Sequence, residues 1–393
     1  MLLPRCHRLA LSNSRYPLIR TRNTSKFYSN LADKYHPKVS LLPFTNDPLT
    51  IQAKLELLVP PMFGLAAAIK GYGQMFLGKD VVDSGIKRTN FKPIYIPTWK
   101  VDCMASFTSD LGDSDHPTVM HLREVTVPGI NHHPLARWVK SFPTDVDDAS
   151  PFSKDHLEPL NGTYDILALP FTTSPTALPQ AFKDAPYGDI EITEGWSVDP
   201  RSVEFQMLAA YPLLHPVFLA EYALGDRNIT VLAHGFHDYF SVWGHTSHPD
   251  VWVNAEQGAT VTYLRATKPI VGGPAAIPNF LDEENTQSNL ERIAREPDMS
   301  DPRIQPISSA DATRHWMTLA GKVDEVGFII ESIPATNARI IQVEVRPGFR
   351  LKKSEVEGDP RAPLKKQLEE LKKEADDAKP EWIKEWEKQS SEK

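Results

Sequence analysis

Apolar residues along this chain fall in short runs that switch between helical and strand-like spacing. Asp47-Pro48 has the form of a helix N-cap followed by proline at the first helical position; Leu49, Ile51, Leu55 and Leu58 follow near helical spacing until Pro60-Pro61 stops them. A second apolar helix is expected from Met62 through Leu77, ending at Gly78. From Phe91 to Phe107 the residues are aromatic, β-branched and alternating, the pattern of a strand, and Pro93 and Pro97 suggest a sheet edge or the entry to one. Thr118 to Val127 reads as its antiparallel partner. A second hairpin is expected from Pro216–Leu224, turned by Gly225-Asp226-Arg227-Asn228 and continued by Ile229 to Ala233. The two hairpins are candidates for related halves of one curved sheet, but their sequences match too loosely to define a repeat.

Between the hairpins lie a Pro/Asp/Ser-rich connection from Ser141 to Pro159 and a short strand from Tyr164 to Phe171. Residues 279–306 offer little to bury and read as a flexible insertion. Trp316, Leu319, Val323, Val326 and Ile330 mark an amphipathic helix between Ser309 and Ile333, and Ile340 to Val345 reads as a closing strand. Beyond Arg350 the chain is charge-dense. Leu364, Leu368 and Leu371 share one helical face there, and Trp382, Ile383 and Trp386 lie on a second segment opened by Pro380. So narrow a stripe makes no core alone and must dock on the body, a partner or a membrane surface.

The 34 prolines break long helices. The expectation is an α+β fold: an antiparallel curved sheet built from hairpins, with flanking helices, proline-rich loops and a C-terminal amphipathic helical tail. Its parts are an N-terminal helical region (29–90), a core domain (91–349) and a charged helical tail (350–393).

Charge changes the picture at the N-terminus. Residues 1–28 carry Arg5, Arg8, Arg15, Arg20, Arg22 and Lys26 and no acid, the composition of a mitochondrial transit peptide; Lys26-Phe27-Tyr28-Ser29 places processing near Ser29. Without those six cations, 37 basic residues face 51 acidic ones, and a net charge of about −14 disfavours nucleic-acid binding. Cys103 is then the only thiol, which excludes an internal disulfide and a cysteine-based zinc site. Neither Leu57–Ile69 nor Phe205–Leu224 is a spanning helix, since both hold prolines and the second holds Glu221 and His215. A matrix location, soluble or peripheral to the inner membrane, is expected.

Pro93-Ile94-Tyr95-Ile96-Pro97-Thr98-Trp99 and Tyr211-Pro212-Leu213-Leu214-His215-Pro216-Val217-Phe218-Leu219-Ala220-Glu221-Tyr222 resemble a group of uncharacterised fungal mitochondrial proteins, over the middle half of the chain. The resemblance implies the location and brings no known reaction.

The densest polar cluster runs from Ala233 to Asp250. There His234, His237, His245 and His248, with Asp238 and Asp250, have the residue types and spacing to ligate zinc or iron. The bland alternative is a hairpin end whose histidines cap turns. Cys103, in an apolar strand, reads as inert. Gly71-x-Gly73 lacks the context of a dinucleotide fingerprint. The leading expectation is therefore a non-catalytic, cofactor-free assembly factor or accessory subunit of a mitochondrial complex. It would contact partners through Leu364, Leu368, Leu371, Trp382, Ile383 and Trp386; the alternative is a metal-dependent enzyme centred on residues 234–250. Attachment to the inner membrane through Trp382 and Trp386 fits either.

Overall fold

The computed structural model describes residues 35–107, 118–132, 135–136, 139, 142, 146–185, 191–193, 196–197, 199–236, 242–245, 252–254, 262–263, 286–333, 338–346, 350–358 and 361–391. The expected leader and its processing position lie outside them.

In chain order the elements are β1 (Ser40–Leu41), α1 (Pro48–Met62), α2 (Leu65–Leu77), β2 (Lys87–Phe107), β3 (Thr118–Pro128), β4 (Ser150–Pro151), β5 (Leu167–Ala168), α3 (Leu178–Lys183), β6 (Glu191–Thr193) and β7 (Trp196–Ser197). There follow β8 (Glu204–Leu224), β9 (Arg227–His234), β10 (Val242–His245), β11 (Trp252–Asn254), β12 (Thr262–Tyr263), α4 (Thr286–Ile293), α5 (Ala310–Ser332), β13 (Ala338–Arg346), β14 (Arg350–Gly358), α6 (Ala362–Ala378) and α7 (Glu381–Ser391). The fold is α+β, with one mostly antiparallel ten-stranded sheet and two separate two-stranded pairs among the described residues.

The helix starts follow local chemistry. Asp47 accepts the Thr50 amide at 2.9 Å and so caps α1 ahead of Pro48. Pro60 and Pro61 do not stop the helix before them; it takes them into its last turn and ends at Met62. Gly64, at φ 110°, turns the chain into α2, and Gly78, at φ 87°, ends it.

Strands β2 and β8, each 21 residues long, pair antiparallel along almost their whole length. Both are central. The edge or edge entry suggested for β2 by its prolines is thus corrected, and the register gives the reason. The carbonyls of Tyr95 and Pro97 accept the amides of Leu169 and Gly129, so these residues direct their backbone polar groups away from β8. Leu214 and Pro216 do the same on the far side, accepting from Leu42 and Gly235. Pro93, Pro97, Pro212 and Pro216 all share this parity, so no β2–β8 hydrogen bond is lost to them. On its outer flank β2 pairs first with β5, at Ile94 and Tyr95, and then with β3 from Thr98; Pro97 falls at the changeover. β8 pairs first with β1, at Leu213 and Leu214, and then with β9 from Val217, and Pro216 falls at that changeover.

These correspondences define an internal pseudo-twofold. One constant shift in numbering carries Pro93 onto Pro212, Tyr95 onto Leu214 and Pro97 onto Pro216, and the pair Ile96–His215 lies on the axis. β5 lies parallel to β2 as β1 lies parallel to β8. Each short strand runs into the same tetrapeptide, Leu42-Pro43-Phe44-Thr45 or Leu169-Pro170-Phe171-Thr172. The Thr172 amide bonds the Gly129 carbonyl at 2.8 Å, and the Thr45 amide bonds that of Gly235 at 2.8 Å. In both places the tetrapeptide leads through a cap residue, Asp47 or Ser174, into a helical turn opened by proline. The halves are intertwined, because the tetrapeptide preceding each long strand in sequence packs on the other half's hairpin.

One face of the central strands carries Tyr95, Trp99, Val101 and Cys103 with Leu208, Ala210 and Leu214, packed under α3 and α4. Further along that face, Phe218, Ala220 and Tyr222 lie under Ile51, Leu55 and Val59 of α1. The opposite face meets α5 and α7 through Met104, Met207 and Tyr211. Helices α1, α2 and α7 thus share cores with the central strands. Three further expectations are corrected. Within the described part of the supposed flexible insertion, Leu290, Ile293 and Ile304 are buried in the main core, and Arg303 and Gln305 bond the backbone of Ala210. The strand expected at Ile340–Val345 does not close the sheet, for among the described residues it pairs only with β14. The tail begins as strand, Arg350–Gly358, and becomes helical at Ala362.

Candidate functional site

Alternation along β2 places Thr98, Lys100 and Asp102 on the face opposite Trp99, Val101 and Cys103. In an otherwise apolar strand these make a buried polar stripe. Lys100 is 1% exposed and Asp102 0%. The register jumps from Val101 opposite Val125 to Cys103 opposite Leu122, leaving Arg123 and Glu124 together across from Asp102 as a β-bulge. Glu124 adopts φ 57°, a left-handed conformation that costs a non-glycine residue about 1–2 kcal/mol. That conformation aims its amide at the Asp102 carboxylate, which accepts it at 2.7 Å.

The second Asp102 oxygen accepts Nε of Arg314, from the first turns of α5, at 3.0 Å; Arg314 Nη1 meets the Glu124 carboxylate at 2.7 Å. Lys100 Nζ donates to Thr126 Oγ1 at 2.8 Å. The Tyr211 hydroxyl sits beside Asp102 and Thr313 without a well-aligned hydrogen bond to either. Thr313 in turn receives the indole N–H of Trp382 at 3.4 Å. Burial raises the Asp102 carboxyl, and Arg314 and the Glu124 amide oppose it. Burial also lowers the Lys100 ammonium to about 8, partly offset by Glu124 and Asp102 and reinforced by Arg314. Burial, then the Asp102 charge, push the Tyr211 phenol well up. Both carboxylate oxygens of Asp102 are thus engaged, and the arrangement ties two strands to α5.

The stripe breaks the pseudo-twofold. The shift that relates the halves carries Thr98, Lys100 and Asp102 onto Val217, Leu219 and Glu221. Thr98, Lys100 and Asp102 are buried, whereas their counterparts are the apolar Val217 and Leu219 and the half-buried Glu221.

His215, on the axis, stacks on Phe142 with ring centroids 4.3 Å apart, and its Nε2 makes no hydrogen bond. His234 meets the same ring edge-on at 5.5 Å. Burial lowers His234 to about 4; burial, with Lys100 and His234 nearby, holds His215 well below the usual imidazole range. Both imidazoles are neutral at neutral pH. Of the four histidines expected to bind metal, His234 and His245 lie among the described residues. His245 pairs with Thr230, four residues along β9 from His234, which separates the two by roughly 13 Å along the sheet. His237 and His248 lie outside the described residues. Among the described residues no group of three His, Cys, Asp or Glu side chains is placed to hold a metal. Cys103 is fully buried and burial pushes its thiol up, as expected of an inert position.

The residues expected to bind partners have another use in the fold. Trp382 and Ile383 are buried among Met104, Met207, Ala209, Tyr211 and Met317, with Trp386 packed beside them. Leu364, Leu368 and Leu371 are half-buried on α6, which packs along α5. Among the described residues a large exposed apolar surface lies instead on α2, at Leu65, Ile69, Tyr72, Met75, Phe76 and Leu77; the sequence shows the helix to be apolar but not that this face stays outside. The buried ion cluster was missed as well. Its one local signal is the placement of Lys100 and Asp102 at alternate positions of an apolar strand. Comparison with protein families, curated proteins and solved structures finds no match.

Proposed function

We propose that this chain is a non-catalytic protein of the mitochondrial matrix, an assembly factor or accessory subunit of a larger protein complex. The acid-free leader supports the location. One observation carries the role. β13 and β14 pair with each other over nine positions and with no other strand among the described residues, while the helices on either side, α5 and α6, pack together. A two-stranded ribbon is marginal by itself, and its two flanks offer unpaired backbone for strand addition by a partner. The register shifts in β2 at Arg88–Asn90 and Met104–Ala105 add local twist, which supports the finer reading of the main sheet as curved.

Replacing Ala338–Gly358 by a short Gly/Ser linker tests the role and leaves Trp382 and Ile383 seated. In mitochondrial lysate the native chain should run in an assembly larger than the processed monomer, itself lighter than the 44.1 kDa of the full sequence, and the variant should run at monomer size with unchanged circular dichroism. A native chain found only as monomer, or a variant that stays in the assembly, removes the reading. A fluorescent fusion bearing residues 1–28 tests the location independently, and diffuse cytoplasmic signal counts against it.

A further inference from the structure

Helix α2 contributes little to the fold. Its buried residues are Ala67 and Ala68, and the docked side is completed by Gly71 against Pro60 and by Gln74, which accepts from Ser84. Leu65, Ile69, Tyr72 and Phe76 recur at spacings of four, three and four, so they form one stripe on another side of the helix. Leu65 is 78% exposed, Ile69 65% and Phe76 81%; Met75, Leu77 and Val81 extend the patch. A helix that stabilises the core so little and exposes so many large apolar groups calls for an occupant.

We infer that this face lies in the surface of an anionic lipid bilayer, with α2 parallel to the membrane plane. Charge selects this occupant. The chain as a whole carries a net charge of −8, but from Pro48 to Arg88 it has Lys54, Lys70, Lys79, Lys87 and Arg88 against Glu56, Asp80 and Asp83. α2 itself contains no acid. Lys70 and Lys79 flank the apolar stripe, where their ammonium groups reach phosphate while the stems lie along apolar surface. Tyr72 has the amphipathic ring suited to the headgroup level. With 13 residues the helix is about 20 Å long, too short to span but suited to lie in the interface. A protein docked on the ribbon β13–β14 and a membrane under α2 are separate contacts, so each can fail alone.

The test is flotation of the purified full chain with vesicles of phosphatidylcholine alone or mixed with an equal share of phosphatidylglycerol. Binding is expected to the mixed vesicles, weakening as salt is raised. The double variant Ile69→Ser, Phe76→Ser should bind about a hundredfold more weakly with unchanged circular dichroism, since two exposed side chains no longer enter the lipid. Lys70→Gln, Lys79→Gln should reduce binding to the mixed vesicles only. No flotation by the native chain, equal flotation by the serine variant, or a concentration-dependent dimer abolished by that variant would each overturn the inference, the last in favour of a second copy of the chain.

Discussion

The carbonyl of Pro97 accepts the amide of Gly129 at 2.9 Å, and the carbonyl of Pro216 accepts that of Gly235 at the same 2.9 Å. Each glycine thus closes a hairpin against the proline at which the long strand changes neighbours. Little room remains. A Cβ on Gly129 would lie 2.7 Å from the Pro97 carbonyl carbon and oxygen; on Gly235 it would lie 2.7 Å from the Phe44 ring and 3.1 Å from the Pro216 carbonyl carbon.

Both glycines should therefore resist substitution, and unequally. Gly129→Ala, which strikes backbone, is expected to cost about 2–3 kcal/mol, and Gly235→Ala, which strikes mainly a ring, about 1–2 kcal/mol. Gly327→Ala in α5 meets nothing within 4 Å and should stabilise by about 0.5–1 kcal/mol through helix propensity. Urea unfolding of the three variants measures the order.

The ion cluster behaves as a latch for α5. Arg314→Leu leaves the buried Asp102 carboxylate without its cation and should cost about 3–5 kcal/mol; Asp102→Leu, after which Arg314 still meets Glu124, should cost less, and the double variant should recover part of the Arg314→Leu loss. A double-mutant cycle in urea reports the coupling. Additive losses would show that the pair does not act as a unit.

Acid sensitivity should trace to the buried imidazoles. Burial holds His234 at about 4 and His215 well below the ordinary 6.5, so as pH falls below 6.5 the unfolded chain binds more protons than the folded one, for His234 down to about 4. Their contribution to stability is present in full above 6.5 and is lost as pH falls through this window. His234→Phe should flatten stability against pH between 6.5 and 4; an unchanged slope would exclude His234 as its source.

Trp382 should behave as a core residue. Trp382→Ala is expected to destabilise by about 3–5 kcal/mol and to expose the tail to limited proteolysis near Lys379. Cleavage there as rapid in the native chain as in the variant would show that α7 is not seated.

Much of the local structure was legible in the residues themselves. Asp47-Pro48 starts α1, Gly78 ends α2, the alternation from Phe91 draws a strand, and the spacing from Trp316 to Ile330 falls within α5. These features depend on backbone preference and on periods of two or 3.6 residues, which lie within a short window. The absence of acids from residues 1–28 is a matter of composition and needs no fold to be seen. The recurrence of Leu-Pro-Phe-Thr at positions 42 and 169 was also present, but its meaning depended on where each copy packs.

Tertiary structure alone decided the rest. Proline in β2 argued for an edge, and only the register with β8 shows that the missing amides face outward where neighbours change. Asp102 and Arg314 stand 212 residues apart, and their pairing exists because α5 covers that half of the sheet and excludes water. The same packing buries Trp382 and Ile383 and leaves Leu65, Ile69 and Phe76 outside. Amphipathic pattern says that a face must be covered; which neighbour covers it depends on the total water-excluded surface of the assembled chain, a quantity no local window contains.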